Sequence, residues 1–318
     1  MANTQNAVTG AVVASLAWSA RQGSTLLAVG IVAGLLLPSL AHAMAWFITP
    51  NVVSLMTLVL LRVDLVALLR HLRRPGRIAA IVCFQLVVSP LIAWALLTPL
   101  PVDPVIAAGA IVTATGASAT SGAAFARLVG LDPELTLLAT LATIFIVPLS
   151  GPPMAYFLSG IDLHIGVGAF MLRLALVVGV PLLISIALRV LIGPARLEPL
   201  GPAVDGAVVW LVVFYGFAVM DGLFARMLTD PAWVTQALLV SVVLNFGLNA
   251  VATLCFVWMG RRDAGSAGLM VGNRNMALYL AVLPVAADPG VRFFMALAQL
   301  PLFLSPFLLK PLYRRFLR

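Results

Sequence analysis

Apolar runs long enough to cross a bilayer recur from end to end of this chain, separated only by short segments that hold most of its arginines. Hydrocarbon offers a backbone no hydrogen bonds, so a run of about 20 apolar residues can cross it only as a helix that pairs its own peptide groups. The runs fall at about residues 24–41, 44–62, 77–98, 104–128, 133–159, 165–192, 204–225, 232–258, 264–285 and 290–314. They predict an all-α polytopic membrane protein of ten transmembrane helices, several of a length that requires tilts or breaks. With 62% hydrophobic and 9% charged residues and a mean hydropathy of +1.11, no large soluble domain has room.

The basic residues set the orientation. One set of connecting segments holds Arg62, Arg70, Arg73, Arg74 and Arg77, then Arg127, then Arg189 and Arg196, then Arg261 and Arg262, and the tail adds Lys310, Arg314, Arg315 and Arg318. The segments between them hold only Arg173, Arg226 and Arg292. The positive-inside rule then places both termini in the cytoplasm, with residues 1–23 as an N-terminal tail. The same rule accounts for the net charge of +8 and the pI of about 10.7, so no nucleic-acid partner is called for; the partner is the lipid bilayer. Arginine in excess of lysine, with abundant alanine, valine and leucine, suits a bacterial inner-membrane protein from a GC-rich genome. The stretch 37–43, Leu-Pro-Ser-Leu-Ala-His-Ala, resembles a signal-peptide cleavage site, but such triples are frequent in alanine-rich chains and cleavage would leave an odd number of helices.

Two of the runs are interrupted. The stretch 269–280, Leu-Met-Val-Gly-Asn-Arg-Asn-Met-Ala-Leu-Tyr-Leu, puts Gly272, Asn273, Arg274 and Asn275 inside the ninth. The stretch 113–122, Thr-Ala-Thr-Gly-Ala-Ser-Ala-Thr-Ser-Gly, interrupts the fourth. Polar groups at that depth must meet water, a ligand or another broken helix. Ten runs divide into two fives, and an odd number per half turns the second copy over. The pattern therefore predicts a single membrane domain of two inverted five-helix repeats, 24–160 and 161–318, whose broken fourth and ninth helices cross. Paired interruptions of this kind point to a transporter's binding site.

Arg274 is the sharpest single signal. Its guanidinium stays charged, and burying it in hydrocarbon costs at least ~2.5–3.5 kcal/mol on insertion scales. It is an anion ligand, a fixed internal cation, or a packing arginine satisfied by carbonyls of the unwound fourth run. Gly272, Asn273 and Asn275 suit a helix break, though asparagine also bonds between helices. Thr113, Thr115, Ser118, Thr120 and Ser121, mixed with Gly116, Gly122 and alanines, allow either close packing or a crossing point. Gln85 and Asn245 lie in the third and eighth runs, at matching ordinals, as core amides or ligands. Thr136, Thr140 and Thr143 follow helical spacing and can share a face toward the crossing, or back-bond their own helix.

Other chemistries lack their residues. Asp64, Asp132, Glu134, Asp221 and Asp288 lie near the ends of runs, so no carboxylate is placed to carry protons or hold sodium in mid-membrane. His42, His71 and His164 lie in connecting segments without metal-ligand spacing. Cys83 and Cys255 read as small core residues. The chain contains no phosphate-binding Gly-Lys-Ser/Thr loop and no catalytic constellation, so neither ATP-driven pumping nor an enzyme is expected.

Read together, these stretches resemble the bile acid:sodium symporter family. The resemblance is clearest over residues 76–160 and 240–283. Gln85-Leu-Val-Val-Ser-Pro90 is similar to the family's third span, 117–122 to its small, polar break in the fourth, and Val271-Gly-Asn-Arg-Asn275 to its ninth-span motif of Glu-x-Gly-x-Gln-Asn type. The resemblance implies a core domain and a panel domain, substrate in the crevice between them, and transport of organic anions, bile acids or small carboxylates, usually driven by sodium. It places Gln85, Ser121, Thr136 and Thr140 at or near sodium-ligating positions and Asn275 beside the crossing. Two departures stand out: Met270 occupies the position of the sodium-binding glutamate, and Arg274 that of the glutamine. Gly122 stands near the fourth-span asparagine. The site loses a negative charge and gains a positive one. At ~4 Å in an effective dielectric near 20, each unit charge matters by roughly 4 kcal/mol.

The expected function is secondary transport of a small or amphipathic organic anion by alternating access. Thr120, Ser121, Asn273, Arg274 and Asn275 are the expected substrate contacts; Gln85, Thr136, Thr140 and Met270 are remnants of cation sites. No cofactor is expected, and sodium is disfavoured by Met270 and Arg274. The alternative is an anion-binding or sensor protein that kept the fold without transport. Metalloid-anion efflux is set aside because the fourth run has no cysteine.

Overall fold

The computed structural model describes residues 13–20, 22–63, 75–162, 164–283 and 287–317. Arg21, Asp64, Arg70, His71, Arg73, Arg74 and Arg318 lie outside the described residues. In chain order the helices are α1 Val13–Ala20, α2 Gly23–Leu36, α3 Pro38–Ala45 and α4 Ile48–Leu61. Then come α5 Pro75–Cys83, a π-helical turn Phe84–Val88, α6 Ser89–Leu97, α7 Pro104–Ala114, α8 Gly122–Val129 and α9 Pro133–Leu158. The second half holds α10 Val167–Ile192, α11 Pro194–Leu197, α12 Gly201–Ala218, α13 Leu223–Thr229 and α14 Pro231–Cys255. It ends with α15 Arg261–Gly272, α16 Met276–Leu280 and α17 Pro289–Phe316. The protein is an all-helical membrane protein; among the described residues six helices are long and apolar enough to span, or up to eight when two bent pairs are counted.

The bends have local causes. Pro38 removes a helical N–H and pushes Leu37 off the α conformation (φ −119°, ψ 62°), so α2 stops there. α3 and α4 then meet at 72°, and the expected boundary between the first two runs, 41 to 44, falls inside α3. His42 therefore sits on a helix and not in a connecting segment, 3.1 Å from Asp221. The described part of the expected tail is helical as α1, which meets the next helix at 87°.

The chain forms two compact units, one of Met1–Arg70 with Leu176–Arg226, the other of His71–Ala175 with Met227–Arg318. In the first, α2 lies so close to α12 that a Cβ on Gly34 would stand 2.4 Å from the Phe217 carbonyl. Arg62 grips Asp205 with two bonds of 3.0 and 3.2 Å, and Arg189 donates to the Val63 carbonyl at 2.8 Å.

In the second unit, four helices start the same way. Asp103, Asp132, Asp230 and Asp288 each cap a helix whose first residue is proline, and each carboxylate accepts from backbone N–H groups of the first turn. Asp132 and Asp288 were expected near run ends, and capping is why they are there. Arg77 pairs with Asp263 and donates to the Met259 carbonyl at 2.9 Å, tying the start of α5 to the start of α15. Ala126, Val129, Leu131, Leu269, Leu309 and Tyr313 form one buried cluster joining α8, α15 and α17. Cys83 and Cys255, expected as core residues, are exposed instead. On a spanning helix the lipid face is as apolar as the core, so hydropathy does not separate the two.

Candidate functional site

Both interrupted runs are broken where their polar residues lie. α7 ends at Ala114 and α8 begins at Gly122; α15 ends at Gly272 and α16 begins at Met276. Between the ends, Asn273 takes an extended conformation (φ −97°, ψ 108°). The two breaks pair as a short antiparallel bridge of Ser118 with Arg274. Asn275 N donates to Ala117 O at 2.8 Å and Ala119 N to Asn273 O at 2.9 Å. Backbone freed by each break is thus satisfied by the other, the condition for irregular chain at membrane depth.

Arg274 reaches from this bridge into the third run. Its Nη1 donates to the carbonyls of Gln85 and Gly116, both at 3.0 Å, and its Nη2 donates to the Ser89 hydroxyl. The Gln85 carbonyl is available for a reason written in the chain. In the π-helical turn Phe84–Val88 the bond partner five residues on is Pro90, which has no N–H. Ser89 Oγ and Arg274 take its place. With its amide oxygen turned to the donors, the Gln85 side chain accepts from Ser118 N at 2.8 Å and Arg274 Nη1 at 3.3 Å. Arg274 is 3% exposed, and among the described residues no carboxylate pairs with it. Charge-assisted bonds contribute about 1.5–3 kcal/mol each, so three of them offset the insertion cost.

The rest of the crossing is a polar cluster. Thr143 Oγ1 accepts from Ser118 N at 3.1 Å, and Ser118 Oγ donates to the Met270 carbonyl at 3.4 Å. Thr136, Thr140 and Thr143 are all buried on one side of α9, and the Gly122 Cα faces Thr136 and Thr140. Thr136 Oγ1 bonds its own helix at Asp132 O, 2.6 Å, whereas Thr140 Oγ1 has no partner. Asn245 Nδ2 donates to Gly272 O at 2.8 Å and to Asn273 Oδ1 at 3.1 Å, and Ser305 Oγ donates to the same Asn273 oxygen at 3.0 Å. The Nδ2 groups of Asn273 and Asn275 are buried donors without partners. Thr120 and Ser121 are half-buried at the edge of the break.

So the structure gathers Gln85, Thr136, Thr140, Met270, Asn273, Arg274 and Asn275 at one crossing, with Thr120 and Ser121 beside it. The residues that sequence reasoning missed are Ser89, Ser305 and Tyr279. The Tyr279 hydroxyl meets Thr115 Oγ1 at 2.9 Å and the Thr115 carbonyl at 3.2 Å, clamping α16 to the end of α7. Ser89 was legible only as the neighbour of Pro90.

A family model, that of the sodium bile acid symporter family, matches residues 49–221, more than half of the chain. The chain belongs to that family. Membership implies secondary transport of a small solute across a membrane, and transporters of this family are not enzymes. The match ends before α15, so Arg274 stands outside the matched residues. No curated protein matches the chain.

The family's name implies sodium, and the residues at Arg274 do not fit it. The neutral oxygens that would coordinate a cation, Gln85 O, Gly116 O and Ser89 Oγ, are spent on a guanidinium. Near Ser118, residue 270 offers a carbonyl and a buried thioether, a soft sulfur that brings a hard cation neither charge nor a good ligand.

Proposed function

We propose that this protein is a secondary transporter of an organic anion, bile-acid-like or a small carboxylate, in which Arg274 is a cation built permanently into the crossing. The observation that carries this reading is the ligand set of the guanidinium: carbonyl and hydroxyl oxygens of three segments, and no carboxylate. Such a set stabilises a positive charge without neutralising it. The site keeps a net positive potential in a low dielectric, which favours an anionic substrate. The unpartnered Nδ2 groups of Asn273 and Asn275 add donors, and Thr120 and Ser121 add hydroxyls at the edge. Arg274 acts on the anion chiefly by its charge, since both terminal nitrogens are engaged and only the buried Nε has no partner. Gln85, Thr136 and Thr140 remain as remnants of cation sites.

The architecture we propose is ten spans in two inverted repeats, 24–160 and 161–318, working by alternating access. Two broken spans added to the eight that include both bent pairs give that number. The first half passes from the unit of Met1–Arg70 with Leu176–Arg226 to the other, and the second half repeats that passage from residue 176 onward, after 161–175 in the other unit. These units are the natural panel and core. The arginine distribution supports cytoplasmic termini in a bacterial inner membrane.

Uptake of cholate and of a panel of small carboxylates into proteoliposomes, in sodium or in choline buffer, tests the reading. Equal uptake in both is expected; complete loss in choline would defeat it. The same tethered cation supports one alternative, a transport-inactive anion binder, because an ion that cannot leave cannot drive a cycle. Binding without flux would select that alternative.

A further inference from the structure

A groove of about 500 Å³ runs between α14 and α17, one helical turn along from Asn245 and Ser305, and is unused by the proposed transport. Its volume lies within the roughly 300–1,000 Å³ of small-molecule sites. Phe246, Leu254, Leu312 and Phe316 form apolar walls, and Asn249 and Tyr313 line its floor. The floor is polar and incomplete: Tyr313 donates to Asn249 Oδ1 at 2.9 Å, while Asn249 Nδ2 has no partner, in a side chain 5% exposed. An unpaired carboxamide donor buried just beneath an apolar groove is costly and calls for an acceptor.

The end of the groove is basic. Arg261 Nη1 donates to the Phe316 carbonyl at 3.3 Å, which fixes Arg261 at the mouth. Arg314 and Arg315 stand in the same last turn of α17, and all three are exposed. Tyr313 precedes Phe316 by three residues, a helical rise of about 4.5 Å, so the Tyr313–Asn249 pair lies below the level at which Arg261 is fixed. We infer that this groove binds an anionic phospholipid. The phosphate meets Arg261 and Arg315, a glycerol ester carbonyl accepts from Asn249 Nδ2, and an acyl chain lies along the four apolar walls. Charge at the mouth, an unsatisfied donor beneath it and an apolar trough below follow the order of groups along such a lipid.

Retention of added phosphatidylglycerol and phosphatidylcholine by the purified full-length protein in detergent, read by native mass spectrometry, tests this. Phosphatidylglycerol is expected to be held preferentially. The R261Q/R315Q double variant should reduce that preference by about fivefold per arginine. Ala250→Trp, at an exposed position in the groove, should remove retention of both lipids. Glycerophosphoglycerol, the headgroup without chains, should not be retained. Equal retention of the two lipids by the unaltered protein, unchanged preference in the double variant, or retention of the chainless headgroup would each overturn the proposal.

Discussion

The Nη1 of Arg274 lies 3.0 Å from the carbonyl oxygen of Gln85, a group whose helical partner is abolished by Pro90. Two local defects, a proline in the third span and a break in the ninth, thus satisfy one another across the unit. The proline frees an acceptor, and the break delivers a charge to it. Neither makes sense alone in hydrocarbon.

Removing the charge should therefore cost stability. Arg274→Gln orphans the buried Gly116 carbonyl, at about 1–3 kcal/mol, and takes one of its two partners from the Ser89 hydroxyl. A clear fall in melting temperature in detergent is expected, with weaker anion binding. Unchanged melting and binding would remove Arg274 from its assigned role.

Sodium should not stabilise the protein. Melting temperatures in sodium chloride and choline chloride are expected to coincide, because a ligand stabilises only the state that binds it. In the M270E/R274Q double variant, which restores a carboxylate and clears the cation, sodium should raise the melting temperature above that in choline. A sodium-dependent rise in the unaltered protein would contradict the misfit described for its residues.

Pro90→Ala offers a sharper check. Replacing an interior helical proline by alanine ordinarily stabilises a helix, by up to about 3 kcal/mol. Here the new N–H competes with Arg274 for the Gln85 carbonyl, so the expected result is no gain or a loss. A gain approaching the ordinary value would show that the carbonyl is not needed.

Gly151 and Tyr279 should couple. A Cβ on Gly151 would fall 2.1 Å from the Tyr279 hydroxyl and 2.9 Å from Val147 Cγ2. Gly151→Ala is expected to cost about 1–3 kcal/mol as overpacking. On a Tyr279→Phe background, where the hydroxyl is gone, it should cost less. Additive losses in the double-mutant cycle would exclude the contact.

Much of this protein was readable along the chain. The run lengths placed the spans to within a few residues from the third onward, and Gly272-Asn-Arg-Asn275 placed one break, because hydrocarbon penalises an unpaired polar group wherever it falls. Asp103-Pro, Asp132-Pro, Asp230-Pro and Asp288-Pro start four helices by a local signal that hydropathy alone did not use, a capping carboxylate followed by a ready-made φ. The bends at Pro38 and after Ala45 blurred the first boundary, as hydropathy does not change across them. Which oxygens receive Arg274 was decided only by tertiary structure. Gln85, Ser89 and Gly116 reach it from segments 158 to 189 residues away, and no periodicity within one helix encodes such a meeting. The sequence determined that a charge must be satisfied inside the membrane; packing of the broken helices decided that neutral oxygens, and not a carboxylate, would satisfy it.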